Sequence, residues 1–197
     1  MKNFKNKTGF TLIELLVVMF ILVTVGVIVT GIFAGTLRGG NKGSNINDIR
    51  QNGNYVISQM SKMIAYAKAF EGVCDPETAD CTDPNSFITF CPPLSTDYKY
   101  LKIKSFDGGE TIFSCNGDSD TPPNTIASRS AAALPAAADS LIDISKMKTT
   151  VCGFRCVSSS ESVSPTIDVV FTLSSLNGTL VENNSTIDFE TSIKPRN

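Results

Sequence analysis

The 197-residue chain contains no histidine and no tryptophan. Histidine is the side chain most often used as a general base and as a metal ligand near neutral pH. Its absence excludes every serine–histidine and cysteine–histidine catalytic pair. The sequence also lacks the Gly-x-Ser-x-Gly nucleophile pattern and the Gly-x-Gly-x-x-Gly dinucleotide pattern. We therefore predict that the chain is not an enzyme and uses no cofactor.

Charge is almost absent from residues 10–37, where Glu14 is the only ionisable side chain. As a helix this run would extend about 42 Å, which exceeds the roughly 30 Å hydrocarbon core of a bilayer. Lysines precede the run, and the positive-inside rule then places the N-terminus in the cytoplasm. The sequence predicts a transmembrane helix at 10–37, with the rest of the chain outside the cytoplasm.

The run begins with Gly9-Phe10-Thr11-Leu12-Ile13-Glu14. A secretory signal has its small-residue cleavage site after the apolar region, whereas Gly9 stands before it. The arrangement closely resembles the N-terminus of type IV prepilins and of type II secretion pseudopilins. The resemblance implies that prepilin peptidase removes a leader, residues 1–9, and that Phe10 becomes an N-methylated N-terminus.

Glu14 is costly where it stands, because an unpaired carboxylate deep in a membrane helix costs on the order of 2–4 kcal/mol. After cleavage the new amino group of Phe10 lies one helical turn away and could pair with it. The resemblance implies a different partner, the N-terminus of a neighbouring subunit, and so an assembly role for Glu14. The alternative is an uncleaved membrane anchor that tolerates one glutamate.

The resemblance also implies the partners and the location. The partners are other pilin subunits, prepilin peptidase, an inner-membrane assembly platform and, before assembly, membrane lipid. The chain would be a single-pass inner-membrane protein that becomes part of an extracellular filament. A net charge of −2 argues against nucleic-acid binding through a broadly basic surface.

Three functions fit this N-terminus: a minor pilin, a secretion pseudopilin, and a membrane-tethered adhesin or binding domain that never polymerises. The C-terminal residues 189–197 resemble the tails of minor pilins and of J-type pseudopilins. That resemblance favours a minor subunit over a major one.

Glycines recur every four residues after the middle of the apolar run. Gly-x-x-x-Gly lets helices approach closely, which we expect for Gly31 and Gly35. We interpret residues 38–45, which contain Gly39 and Gly43, as a flexible glycine-rich break. Apolar residues at helical spacing then predict an amphipathic helix at 46–70 whose stripe is a core face.

Residues 71–197 are predicted to form an extracytoplasmic antiparallel β domain with disulfides. The predicted strands are 86–90, 98–106, 111–115, 141–157, 167–173 and 187–193, with turns at 107–110 and at Asn177-Gly178. Residues 116–139 are interpreted as a loop or a short helix. The fold class is α+β: a long N-terminal helix packed on a C-terminal antiparallel sheet, the pilin-like arrangement.

The six cysteines favour disulfides in a chain exported past a membrane. We expect the pairs Cys74–Cys81, Cys152–Cys156 and Cys91–Cys115, one of fifteen possible arrangements. The spacings do not form two Cys-x-x-Cys zinc knuckles, which argues against a metal. Residues 116–120 could bind calcium, but their composition favours a solvated acidic turn.

Overall fold

The computed structural model describes two compact units, Met1–Gly43 and Ser44–Asn197. Within the described residues it contains one helix and eight strands. These residues are 9–81, 83, 85–91, 97–115, 124–132, 138–158, 164–176 and 185–196.

The helix, α1, extends over Leu12–Ala65. The predicted break at residues 38–45 is wrong as secondary structure, because the whole segment is helical. The boundary between the two compact units nevertheless falls inside it, after Gly43. The predicted end at Phe70 is also wrong, because the helix stops at Ala65 and Phe70 pairs with Ile103 in a sheet.

The first sheet has five antiparallel strands that follow one another in chain order. Its first pair contains a bulge at Phe70/Gly72, where Gly72 has a positive φ of 135°. A side chain at Gly72 would collide with the carbonyl oxygen of Ile88, so the close approach requires glycine. The strands are β1 Ala69–Cys74, β2 Tyr100–Lys104, β3 Glu110–Cys115, β4 Ile126–Ser130 and β5 Asp139–Ser140.

The second sheet has three antiparallel strands, β6 Met147–Val157, β7 Thr166–Ser175 and β8 Thr186–Ile193. Alternate residues of β7 face the core, as the sequence predicted for 167–173. An isolated bridge between Tyr98 and Phe154 places residue 98 beside β6.

The core of the second unit lies between the C-terminal half of α1 and the two sheets. The predicted apolar stripe of the helix is confirmed at Ile49, Val56, Met60 and Ile64, each at most 1% exposed. The stripe belongs to one cluster with buried residues of both sheets. The sheet residues of that cluster include Leu101, Ile103, Phe113, Phe154, Ile167, Phe171 and Phe189.

Phe189 of β8 packs directly over Gly53 of α1. A Cβ built at Gly53 would lie well within 3.0 Å of three atoms of the Phe189 ring. The same ring stacks on Phe171, with centroids 5.1 Å apart. The absence of a side chain at Gly53 therefore sets how closely the helix approaches the second sheet.

The predicted α+β fold is confirmed, with two sheets in place of one. The predicted strand at 86–90 is wrong, because only Ile88 forms a bridge there, to Val73. The strand predicted from residue 141 begins at Met147. The loop or short helix predicted at 116–139 is wrong for Ile126–Ser130, which forms β4, and for Asp139, which begins β5. Residues 116–123 and 133–137, and the turn at Asn177-Gly178, lie outside the described residues.

Candidate processing and assembly site

The predicted cleavage point lies in an exposed, non-helical stretch just before α1. Gly9 has no heavy atom within 4 Å of where its Cβ would be, and the Phe10 side chain is 77% exposed. The rest of the predicted leader, residues 1–8, lies outside the described residues. Among the described residues, no side chain therefore blocks the approach of a peptidase to the bond between Gly9 and Phe10.

Thr11 caps the start of α1. Its Oγ1 accepts a hydrogen bond from the backbone N–H of Glu14 at 3.3 Å, and its carbonyl accepts one from the Leu15 N–H at 3.2 Å. The side-chain bond satisfies the Glu14 N–H, a donor that a helix N-terminus otherwise leaves unpaired, and the carbonyl bond is the first hydrogen bond within the helix. Thr11 through Glu14 has the Thr-x-x-Glu pattern of a capping box. No role was predicted for Thr11, although the Thr-x-x-Glu pattern is a sequence signal for a helix cap.

Because Thr11 is the cap, Glu14 lies in the first turn of the helix. The partial positive charge of a helix N-terminus favours an anion at this position. The side chain is exposed, and no salt bridge reaches it within the part of the chain that the structure describes. Its carboxylate is thus free to meet a cation supplied from outside those residues.

The surface of α1 that follows Glu14 is apolar and uncovered. Every large hydrophobic side chain from Leu12 to Leu37 is at least 46% exposed. The helix is long and apolar enough to cross a membrane, and its most apolar window has a mean hydropathy of 3.0. A soluble monomer does not leave so large an apolar surface in water, so lipid or another helix must cover it.

The polar groups of this segment are satisfied within the helix itself. The hydroxyls of Thr24, Thr30 and Thr36 donate to backbone carbonyls three or four residues earlier, at 2.8–2.9 Å. Such bonds remove the cost of placing a hydroxyl in hydrocarbon. Glu14 is left as the only side chain of residues 10–37 that carries a charge.

The glycines at 31, 35, 39 and 43 have open space around them. A Cβ added at any of them would meet no atom within 4 Å. Contacts within the described chain therefore do not require glycine at these positions. Close helix packing at Gly31 and Gly35 stays a prediction about a neighbouring helix.

All six cysteines form disulfides, which confirms the predicted disulfide chemistry. The pair Cys74–Cys81 is as predicted. The other two predicted pairs are wrong: Cys91 bonds to Cys156, and Cys115 bonds to Cys152. Cys152 and Cys156 lie four residues apart on the extended strand β6, about 13 Å from each other, which is beyond the reach of a disulfide.

Two of the shifted pKa values in the second unit have ordinary ionic causes. The hydrogen bond from Lys102 Nζ, 2.9 Å from Glu110, lowers the pKa of that carboxyl, with a contribution from Lys104. The Asp97 carboxylate raises the pKa of the Arg155 guanidinium to which it is hydrogen-bonded. Each shift is explained by a salt bridge, one with the buried Lys102 and one in the exposed Asp97–Arg155 pair, so neither shift by itself indicates a catalytic cleft.

No group of three or more histidine, cysteine, aspartate or glutamate side chains that could hold a metal occurs among the residues with described positions. The cysteines are committed to disulfides. The calcium candidate at 116–120 lies outside the described residues.

A long N-terminal apolar helix followed by antiparallel sheets is consistent with a pilin-like α+β fold. The family model "Prokaryotic N-terminal methylation motif" matches residues 4–34. That match supports the type IV pilin and pseudopilin family, a family of structural subunits, and implies processing by prepilin peptidase and assembly with other pilin subunits. No curated protein and no solved structure matches the chain.

Proposed function

We propose that the chain is a minor subunit of a type IV pilus or a related filament, cleaved after Gly9 and incorporated by bundling of its N-terminal helix. The observation that carries this proposal is the uncovered apolar surface of α1 with a single carboxylate, Glu14, in its first turn. Lipid covers the surface before assembly, and neighbouring helices cover it in the filament.

Cleavage supplies the cation that Glu14 lacks. Removal of residues 1–9 creates a positively charged amino group on Phe10, directly before the Thr11 cap. In the filament this amino group meets the Glu14 carboxylate of an adjacent subunit. Either charge, the amino group or the carboxylate, is costly if it lies unpaired in hydrocarbon. Only the subunit register that brings these two groups together is therefore favourable. The pair thus sets subunit position along the filament axis.

Replacement of Glu14 by alanine tests this role. The cells should insert and process the Glu14→Ala protein normally. The amount of the variant in sheared filaments should nevertheless fall at least about tenfold, because losing about 1.4 kcal/mol of pairing energy already lowers an equilibrium constant by that factor. Immunoblots of the membrane and filament fractions measure both quantities. Glu14→Asp, which keeps the charge, should recover part of the incorporation.

Thr30→Ala is the matched control on the same helix. Among the described residues, its hydroxyl donates a hydrogen bond only to the Gly26 carbonyl, so its loss should leave incorporation unchanged. Normal incorporation of Glu14→Ala would contradict the proposal and favour a tethered binding domain that does not polymerise. Assembly confined to the cell envelope, with no extracellular filament, would favour a secretion pseudopilin.

A further inference from the structure

The disulfides of the second unit are nested. Cys91–Cys156 encloses Cys115–Cys152, with sequence separations of 65 and 37 residues. Pairing each cysteine with its next neighbour along the chain would instead join Cys91 to Cys115 and Cys152 to Cys156. Two of the three native bonds therefore differ from the bonds that successive pairing forms.

The nesting follows from the way the two sheets meet. Cys115 ends β3 of the first sheet and Cys152 lies in β6 of the second, so their bond joins the sheets. Cys156 lies further along β6 and holds residue 91, close to where residue 98 bridges to β6. Each bond links segments that are distant in sequence, so the folded arrangement of the chain, and not proximity along it, brings these cysteines together.

An unfolded chain favours the wrong pair. Loop-closure probability falls roughly as the 3/2 power of loop length. Cys91 and Cys115 are 24 residues apart (115 − 91), against 65 for Cys91 and Cys156. The shorter loop therefore closes about fourfold more often in the unfolded chain. Oxidation that precedes folding accumulates the non-native isomer.

We propose that the native pairing is reached by thiol–disulfide exchange, so that the exported domain is a substrate of a disulfide isomerase as well as of a thiol oxidase. The oxidase step is balanced: two cysteine thiols lose two electrons and two protons, and a disulfide of the oxidase becomes a dithiol. The inference rests on the export required by the proposed function, but it does not depend on filament assembly.

The exchange needs no further oxidant. A thiolate of the isomerase attacks the Cys91–Cys115 bond at Cys91 and releases the Cys115 thiolate. Cys115 attacks Cys152 of the Cys152–Cys156 bond, which forms the native Cys115–Cys152 bond and releases the Cys156 thiolate. Cys156 then attacks the mixed disulfide at Cys91, forming Cys91–Cys156 and freeing the isomerase. The chain therefore contains two disulfides among these four cysteines both before and after the exchange.

The test uses the reduced, unfolded full chain, refolded in detergent micelles with a dithiol thiol oxidase, with or without a dithiol disulfide isomerase. Free thiols are then alkylated and the chain is digested with trypsin. Cleavage after Arg155 separates the two cysteines of β6. Native pairing links peptide 69–99 to 156–196 and 105–129 to 149–155, whereas successive pairing links 69–99 to 105–129.

With oxidase alone, the link between 69–99 and 105–129 should dominate, and the isomerase should raise the native yield about fourfold or more. Equal native yield and rate without the isomerase would overturn the proposal. The double variants Cys91→Ser/Cys156→Ser and Cys115→Ser/Cys152→Ser serve as controls. Each keeps only bonds between successive cysteines, so each should pair correctly with oxidase alone. Equal isomerase dependence in these variants would also overturn the proposal, because nesting would not be the cause.

Discussion

Replacing Gly53 by alanine tests how α1 packs against the second sheet. The added methyl group would lie well within 3.0 Å of three atoms of the Phe189 ring. Phe189 is 8% exposed and stacks on the fully buried Phe171, so moving its ring disturbs that stacked pair. Either the ring or the helix must move.

The expected loss in unfolding free energy is about 2 kcal/mol. Overpacking a filled core costs about 1–3 kcal/mol, and this contact lies at the upper end because the ring is clamped on its other face. The higher helix propensity of alanine relative to glycine stabilises the helix by about 1 kcal/mol and offsets part of this loss. The steric term therefore exceeds the helix-propensity term.

Urea unfolding of the full chain in detergent micelles, with disulfides intact and circular dichroism as the signal, measures the loss. Gly43→Ala is the control on the same helix: its methyl group meets no atom within 4 Å, so this variant should be neutral or stabilising. In a Phe189→Ala background, Gly53→Ala should become neutral or stabilising. An equal loss in both backgrounds would refute the reasoning, since no coupling between the two residues would remain.

Two further predictions concern the helix cap and pH. Thr11→Ala should cost about 1 kcal/mol of helix stability at the N-terminus, whereas Thr11→Ser should cost little; amide exchange at Glu14 measures both, and unchanged exchange in Thr11→Ala would exclude the cap. Glu110 has a pKa lowered from 4.5 by its hydrogen bond from Lys102. Its contribution to stability is complete above that unfolded-state value and is lost as the pH falls through the lower folded-state pKa. Between about pH 7 and about pH 3 the wild type should lose more stability than Glu110→Gln, and equal losses would show that the ion pair contributes nothing.

The parts of the fold that sequence reasoning recovered are those with a local signal. The apolar run predicted the helix, the motif from Gly9 to Glu14 predicted the match to the methylation-motif family model, and simple alternation predicted β7 and β8. The prediction of a break at 38–45 is wrong because each glycine only weakens a helix, by about 1 kcal/mol, and does not by itself end it. Glycine spacing alone does not show where a helix ends.

The disulfide pairing could not be predicted from the sequence for a different reason. Only Cys74 and Cys81 are close in sequence and bonded. The partners of Cys91 and Cys115 are set by the meeting of two sheets whose strands are far apart along the chain. Loop length favours the local pairs, so local reasoning selected Cys152 with Cys156 and could not detect that β6 holds them apart.

The most direct test of the central claim is the mass of the mature protein, purified from cells that contain an active prepilin peptidase. The account predicts a chain that begins at Phe10 and carries one extra methyl group on its amino terminus. Fragmentation of the N-terminal peptide locates both features. Retention of Met1–Gly9 in those cells would contradict the account, because Glu14 would then lack the cation that assembly requires.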